Sequence, residues 1–300
     1  MRAIDLFCGS GGLSLGFENA GVEIVSAFDN WEAALTSYRM NFKHPAISLD
    51  LSATDNAIRK LKGYKPQLII GGPPCQDFSI AGSRKEGARA NLTVTFARVV
   101  TAVRPRCFVM ENVYSIEGSS SLKSSLKLFR EAGYGLTSRI IDASLVGVPQ
   151  MRRRYFLIGA LKTEDNAFGE ALDSGLGRDR MTVREYFGKR LSLKYYYAHP
   201  RNYSRRAIFS VDEPSATIRR VNRPIPPNYR CHPADKAKVF KGLRALTFEE
   251  RKMIQTFPEE FTFIGSLSQQ EHQLANAVPV KLAEYVANAV LAVLKYPQRR

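Results

Sequence analysis

A lone cysteine sits at the end of an unusually stiff turn. Residues 71–79 read GGPPCQDFS and follow the apolar run Gln67–Ile70. Consecutive prolines restrict the backbone, while Gly71 and Gly72 leave room for a close approach. Such a turn can present the thiol of Cys75 at attack distance from a ligand, as nucleophilic catalysis requires. A second candidate group is Glu111 in the run MENV, at the carboxyl end of the apolar stretch RCFVM. In a doubly wound sheet that edge is where ligands lie, and a partly desolvated carboxylate there has a raised pKa and can share a proton. A third is QMRRRYF, residues 150–156, where Arg152 and Arg154 are two apart and so share one face of a strand. In isolation the same arginines also fit a solvated basic cluster.

The stretch DLFCGSGG, residues 5–12, puts Gly9, Gly11 and Gly12 between a strand and a helix. Glycines there admit a ligand against the backbone and the helix N-terminus. Turns of this kind bind NAD, flavin, nucleotides or S-adenosylmethionine, and some bind nothing. The run GSGGLSLG is a poor match to the dinucleotide pattern G-x-G-x-x-G, which counts against a nicotinamide dehydrogenase. Asp29 ends the second strand, where an acid either takes ribose hydroxyls or caps the helix starting at Trp31. Asp50, after the third strand, either meets an adenine or is a surface acid.

The elements that must position these groups follow from periodicity. AIDLF, EIVSAF, AISL, QLIIG, RCFVME and RRYFLIGA read as strands. LSLGFENAG, WEAALTSYRMNF, NLTVTFARVVTAV and SLKSSLKLFREAG read as helices, two of them stopped at Gly21 and Gly133. This alternation predicts an α/β, doubly wound, mostly parallel sheet covered on both faces. From about Thr163 the periodicity gives way to glycine, proline, tyrosine and arginine, as in a smaller, loop-rich second domain. LAEYVANAVLAVL, residues 282–294, is helical again and is expected to pack back on the first domain. The expected division is 1–162 plus 270–300 against 163–269.

Composition narrows the class. The chain has 300 residues, 44% hydrophobic and 24% charged, with a net charge of +16. Residues 178–241 carry sixteen Lys and Arg against five Asp and Glu, a net +11 in about a fifth of the chain. A partner bearing many phosphates is the natural inference. The apolar runs fall short of the roughly 20 residues of a membrane span. The first apolar run holds an acid, which argues against a signal peptide, so a soluble cytoplasmic protein is expected. The four cysteines lie far apart without a CxxC pair, which excludes a disulfide framework or a zinc site as the expectation. Cys107 reads as a buried strand residue, and Cys231 beside His232 lacks the second ligand pair a metal needs.

In combination these motifs resemble the DNA (cytosine-5)-methyltransferases, of the prokaryotic restriction–modification type, in order, residue type and spacing. DLFCGSGG is similar to the family's cofactor turn, GGPPCQDFS to its nucleophile motif, ENV to its acid motif and QMRRR to its arginine motif. RALTFEERKMIQTFPEEF and QLANAVP resemble its ninth and tenth motifs. The likeness covers nearly the whole chain except roughly 163–242, where the family places its target-recognition domain. GARANLTVTF departs from the family's usual DxRGxLF, and Ala275 stands where a glycine is usual.

The resemblance implies an S-adenosylmethionine-dependent methyltransferase fold and transfer of a methyl group to carbon 5 of a flipped-out cytosine in a specific duplex DNA sequence, through a covalent cysteine adduct. It makes Cys75 the nucleophile, Glu111 its acid partner, and Arg152 and Arg154 the holders of the cytosine. It sets Phe7, Gly9, Gly11, Gly12, Asp29, Asp50, Leu92, Asn276 and Val278 around S-adenosylmethionine, which leaves as S-adenosylhomocysteine. It brings Gln76, Ser79, Arg89, Arg205, Arg206, Thr217, Arg219, Arg220 and Arg223 to the DNA. No metal and no membrane are expected; the expected state is a monomer, with a cognate restriction endonuclease acting separately. An RNA cytosine-5 methyltransferase and a non-catalytic DNA-binding protein are the competing readings.

Overall fold

The computed structural model describes residues 1–74, 91–202 and 204–295. Seven strands form the main sheet, in the order β3-β2-β1-β4-β5-β7-β6. They are β1 (Arg2–Leu6), β2 (Glu23–Asp29), β3 (Ala46–Ser48), β4 (Leu68–Gly71), β5 (Cys107–Val113), β6 (Tyr134–Asp142) and β7 (Arg153–Leu161). The first five run parallel, and β7 lies antiparallel to both β5 and β6. The expected parallel sheet is thus present, with an antiparallel end. β6 was not anticipated: YGLTSRIID mixes polar and apolar residues without clean alternation, and it pairs along one side only with β7.

Helices cover both faces. The first five are α1 (Gly12–Asn19), α2 (Glu32–Asn41), α3 (Thr54–Lys62), α4 (Asn91–Val103) and α5 (Ser120–Glu131). Two short ones follow, α6 (Gly169–Ser174) and α7 (Val183–Phe187), then α8 (Phe248–Ile254), α9 (Leu267–Asn276) and α10 (Val280–Lys295). α3 also escaped the periodicity reading, because only Ala57 and Leu61 of it are fully buried. One core lies between the sheet and α1, α6 and α10, with Phe17, Phe156, Phe168, Leu282 and Val286 at its centre. The other face packs α3, α4 and α5 over Ile69, Phe96, Phe108 and Phe129. The last helix therefore returns to the first domain as expected. Residues 267–294 are apolar and long enough to span a membrane by length and composition, yet 56% of the most apolar window is buried and the stretch breaks between α9 and α10.

The segment expected as a separate domain shares core with its neighbours at both ends. Phe168, the N-cap of α6, and Leu172 within it sit in the core beneath α10. Phe257, Phe261 and Phe263 pack with Leu35, Tyr38 and Phe42 of the α2 region. Between them, β8 (Tyr195–Tyr197) and β9 (Ile208–Ser210) form a two-stranded antiparallel ribbon.

Topology decides where the chemistry can be. The chain builds outward from β1 through β2 and β3 on one side and through β4 and β5 on the other. The order reverses between β1 and β4, and the crevice at the carboxyl ends of strands beside such a reversal is where open α/β sheets bind ligands. Leu6 pairs with Gly71, and Gly71 with Met110, so the turns after β1 and β4 and the end of β5 meet at one edge.

Candidate active site and nucleic-acid face

The turn after β1 is held in an uncommon conformation. Phe7 (φ 59°), Gly9 (φ 53°) and Gly11 (φ 100°) all lie in the left-handed region. A side chain is tolerated there at a cost at Phe7, whereas Gly11 has no choice: a Cβ would stand 2.3 Å from the Phe42 ring. A Cβ on Gly12 would stand 2.3 Å from the Val278 carbonyl, so the segment after α9 is pressed against the turn. At Gly9 a Cβ would meet nothing within 4 Å, which leaves open space above that backbone. Asp29 closes the turn from β2: its Oδ2 accepts from the Gly9 N–H (2.8 Å) and its Oδ1 from the Trp31 N–H (2.9 Å). Asp29 therefore anchors the glycine turn and the residue that leads into α2, whose N-cap is Trp31 without a side-chain cap bond. Burial raises its pKa, opposed by the N–H groups of Trp31, Gly9 and Asn30.

The remaining cofactor candidates spread around this edge. Asp50 is exposed and accepts from the Ser52 N–H (2.9 Å), and its pKa falls through hydrogen bonds from Ser52. Asn276 ends α9 with an exposed side chain, and Val278, 6% exposed, follows it. Leu92 lies in the first turn of α4. The open space over Gly9, whose N–H is held by the partly buried Asp29, fits a ligand that carries a nucleoside.

Glu111 lies near the end of β5, 8% exposed. Its Oε1 pairs with Arg154 Nε at 3.0 Å, and a Cβ on Gly72 would come within 3.3 Å of its Oε2. The acid is thus packed against the backbone that leads into Pro73 and Pro74. Burial raises its pKa, while Arg154 and then Arg152 pull it back. Asn112 donates from Nδ2 to the Pro73 carbonyl at 3.0 Å. This contact fixes the proline turn to β5, and it was not singled out from the sequence although Asn112 is the middle residue of ENV. Cys75, Gln76, Ser79 and Arg89 lie outside the described residues.

The two arginines expected to act together diverge. Arg154 turns to Glu111, whereas Arg152, 1% exposed, donates to the carbonyls of Ile218 (3.4 Å), Ala275 (2.8 Å) and Ala277 (3.0 Å). Arg153 lies over the Tyr114 ring at 4.7 Å.

The arginines of residues 178–241 also separate by company. Arg206 is chelated by Glu213 (3.0 and 2.9 Å) and lies 4.2 Å over the Phe209 ring, so its charge is already used. Arg184 is paired with Asp212 and Arg190 with Glu259. Among the described residues Arg201, Arg205, Arg219, Arg220 and Arg223 make no ion pair. Arg201, Arg205 and Arg219 line a cleft of about 410 Å³ whose floor includes Tyr196, Phe209 and Thr217. Burial, then Arg201 and Arg205, lower the pKa of Arg219. Thr217 donates to the Met151 carbonyl at 2.6 Å, which ties the cleft to the arginine motif. Mutual repulsion of this kind is relieved by a bound polyanion. Among the described residues no group of three or more His, Cys, Asp or Glu could hold a metal ion.

An open α/β sheet with this strand order, an antiparallel β7 and a glycine turn after β1 is the fold of the S-adenosylmethionine-dependent methyltransferases. A profile of the C-5 cytosine-specific DNA methylases matches residues 1–292. The chain is 52% identical to the type II methyltransferase M.HindV of Haemophilus influenzae, over all of this chain and 99% of that protein. It is 50% identical to the type II methyltransferase M.HgiDI of Herpetosiphon aurantiacus, over 99% of this chain and 96% of the other. Among solved structures, a putative DNA modification methyltransferase encoded within an Escherichia coli prophage shares the fold with a TM-score of 0.73 at 22% identity, covering 99% of this chain and 100% of that one. The Dnmt2 methyltransferase of S. pombe does so with a TM-score of 0.71 at 19% identity, covering 99% of both chains. The chain belongs to the C-5 cytosine-specific DNA methylase family and is a DNA (cytosine-5-)-methyltransferase.

Proposed function

We propose that the protein transfers a methyl group from S-adenosylmethionine to carbon 5 of a cytosine flipped out of a specific duplex DNA sequence, through a transient bond to Cys75. The observation that carries this reading is the buried Glu111–Arg154 pair packed against the Gly72–Pro74 backbone that leads to Cys75. Carbon 5 of cytosine is too weak a nucleophile by itself. The Cys75 thiolate adds to carbon 6, and the electron pair displaced from the carbon 5–carbon 6 bond makes carbon 5 nucleophilic. S-adenosylmethionine supplies an electrophilic methyl on a sulfonium sulfur. A base then takes the proton from carbon 5, and the thiolate leaves.

Glu111, protonated or sharing a proton, hydrogen-bonds ring nitrogen 3 and the exocyclic amine, and Arg154 holds that carboxyl in place. Burial raises its pKa, the direction a proton donor needs, against the opposing pull of Arg154 and Arg152. General acid assistance of this kind contributes about 100- to 10,000-fold. Gly9, Asp29, Asp50, Leu92, Asn276 and Val278 hold the cofactor, with Asp29 toward the ribose. Flipping costs a few kcal/mol, about the scale of unstacking and unpairing one base. The region 163–269 serves as the target-recognition domain, with Arg205, Arg219, Arg220 and Arg223 available to DNA. The setting we infer is a restriction–modification system with a separately acting endonuclease.

Tritiated S-adenosylmethionine offered with duplex DNA and with transfer RNA tests this reading. Label is expected in DNA cytosine and is expected to vanish with Cys75→Ala. Incorporation into RNA alone would overturn the substrate, and an adduct with 5-fluorocytosine DNA that survives Cys75→Ala would overturn the nucleophile.

A further inference from the structure

A line of buried amides runs from the recognition segment to the cofactor turn. The Ile218 N–H donates to Gln150 Oε1 at 2.9 Å, and Gln150 Nε2 donates to Gln255 Oε1 at 2.8 Å. Gln255 Nε2 in turn donates to the carbonyls of Leu274 (2.7 Å) and Ala277 (3.2 Å). Both glutamines are fully buried. The orientation of each amide is dictated by its ends, because an N–H can only donate and a carbonyl can only accept. Arg152 joins the same two places by a second route, from the Ile218 carbonyl to those of Ala275 and Ala277. The N–H and the C=O of Ile218 are therefore both tied toward Ala277.

Within two residues of each end stand groups that the proposed function uses. Arg219 and Arg220 follow Ile218, and Asn276 and Val278 flank Ala277. Further bonds stiffen the same seam. Arg251 of α8 bonds the Arg219 carbonyl and pairs with Glu271 of α9, and the backbones of Ser215, Pro149 and Met151 bond reciprocally.

We propose that this seam makes the binding of DNA and of the methyl donor interdependent, with Gln150 and Gln255 as positioning residues that carry the coupling. The proposal rests on the functional reading above, since it requires DNA at Arg219–Arg220 and a cofactor at Asn276–Val278. Its physical basis is that the line has no slack. Displacing Ile218 relative to Ala277 strands a donor or acceptor in a low-dielectric interior, where an unpaired group is costly. A ligand that holds one end therefore restricts the other, and thermodynamic linkage makes the effect equal in both directions.

The test measures the dissociation constant of a fluorescent duplex carrying target cytosines, with and without saturating S-adenosylhomocysteine. For the wild-type protein the two values are expected to differ by about 5- to 150-fold. In Gln255→Met and Gln150→Met that ratio should fall toward one, while each ligand alone binds within about threefold of wild type, the spread left by a modest local repacking. The double variant should lose no more coupling than either single one, because both links serve one line. A purely structural role would lower stability and leave the ratio intact, and that result overturns the proposal. So does a wild-type ratio of one. Should the variants fail to fold, hydrogen exchange on the wild-type protein decides: bound S-adenosylhomocysteine is expected to slow exchange in the peptide containing Ile218, and unchanged exchange there overturns the coupling. Absence of any S-adenosylhomocysteine binding would instead bring down the cofactor reading as well, which separates the two failures.

Discussion

Asp5 and Glu111 are buried carboxylates on neighbouring parts of one sheet, and their company sets them apart. Glu111 has Arg154 and Arg152 to oppose the cost of burial. Asp5 is fully buried, is hydrogen-bonded by Ser14, whose Oγ donates at 2.7 Å, and has its pKa pushed up by burial to about 8. Ser14 is itself joined to Tyr38 Oη, and Tyr38 to His44, so the carboxyl sits at the inner end of a polar chain behind the cofactor turn. The sign of its effect follows from linkage. Between pH about 4, the ordinary range of a free carboxyl, and about 8, the folded protein holds a proton that the unfolded chain has released. The stability contributed by Asp5 is thus complete at low pH and is lost as pH rises through that window. Asp5→Asn cannot ionise, so its melting temperature should gain on that of wild type between pH 5 and pH 8.5, a span of roughly the usual-to-raised carboxyl range. A difference between the two proteins that stays constant across that range would show that Asp5 is ionised throughout.

At the scale of elements, the cofactor turn depends on how closely α1 and α10 approach. Gly16 faces α10 so tightly that a Cβ would stand 2.4 Å from Ala283 Cβ, 2.5 Å from the Val280 carbonyl and 2.6 Å from the Glu284 nitrogen. Two of these three atoms are backbone, which has little room to yield. Gly16→Ala must therefore part the helices, and overpacking of this kind costs about 1–3 kcal/mol. A melting temperature several degrees lower is expected, read by calorimetry or circular dichroism. Gly118→Ala serves as the control: a Cβ there meets nothing within 4 Å, so stability should stay within about 0.5 kcal/mol. Equal behaviour of the two variants would mean that the helix contact is not what holds the turn.

Across the whole molecule, the net charge of +16 is concentrated in the stretch 178–241, which carries +11 of it. Its arginines are not equivalent. Arg205 and Arg219 have no acidic partner among the described residues, whereas Arg206 is held by Glu213 and Phe209. Removing a phosphate contact reduces the slope of log affinity against log salt by about one. Arg205→Ala and Arg219→Ala should each do so, uniformly across DNA sequences. Arg206→Ala should leave the slope unchanged and lower the melting temperature instead. A loss of affinity confined to one sequence would make Arg219 a base reader rather than a phosphate anchor.

The apolar runs before the glycine, proline and ENV motifs were enough to place Phe7–Gly12, Gly72 and Glu111 at the carboxyl ends of strands, since period and chain order alone define β1, β4 and β5. The charge run at 178–241 was equally legible in the sequence. Neither β6 nor α3 was legible, because each buries only part of its length and shows a blurred period. The company of the arginines was equally hidden. QMRRR shows three equal charges in a row, and only packing turns Arg154 toward Glu111, Arg152 into the seam with Ile218 and Ala277, and Arg153 onto Tyr114. Even their arrival at the active edge is a tertiary outcome. Arg152 and Arg154 stand at the start of β7, and the start of a parallel strand would lie at the far edge of the sheet. Arg154 reaches Glu111 because β7 runs antiparallel, pairing Arg154 with Val113, and that direction is set by the neighbouring strands rather than by any local feature of the chain.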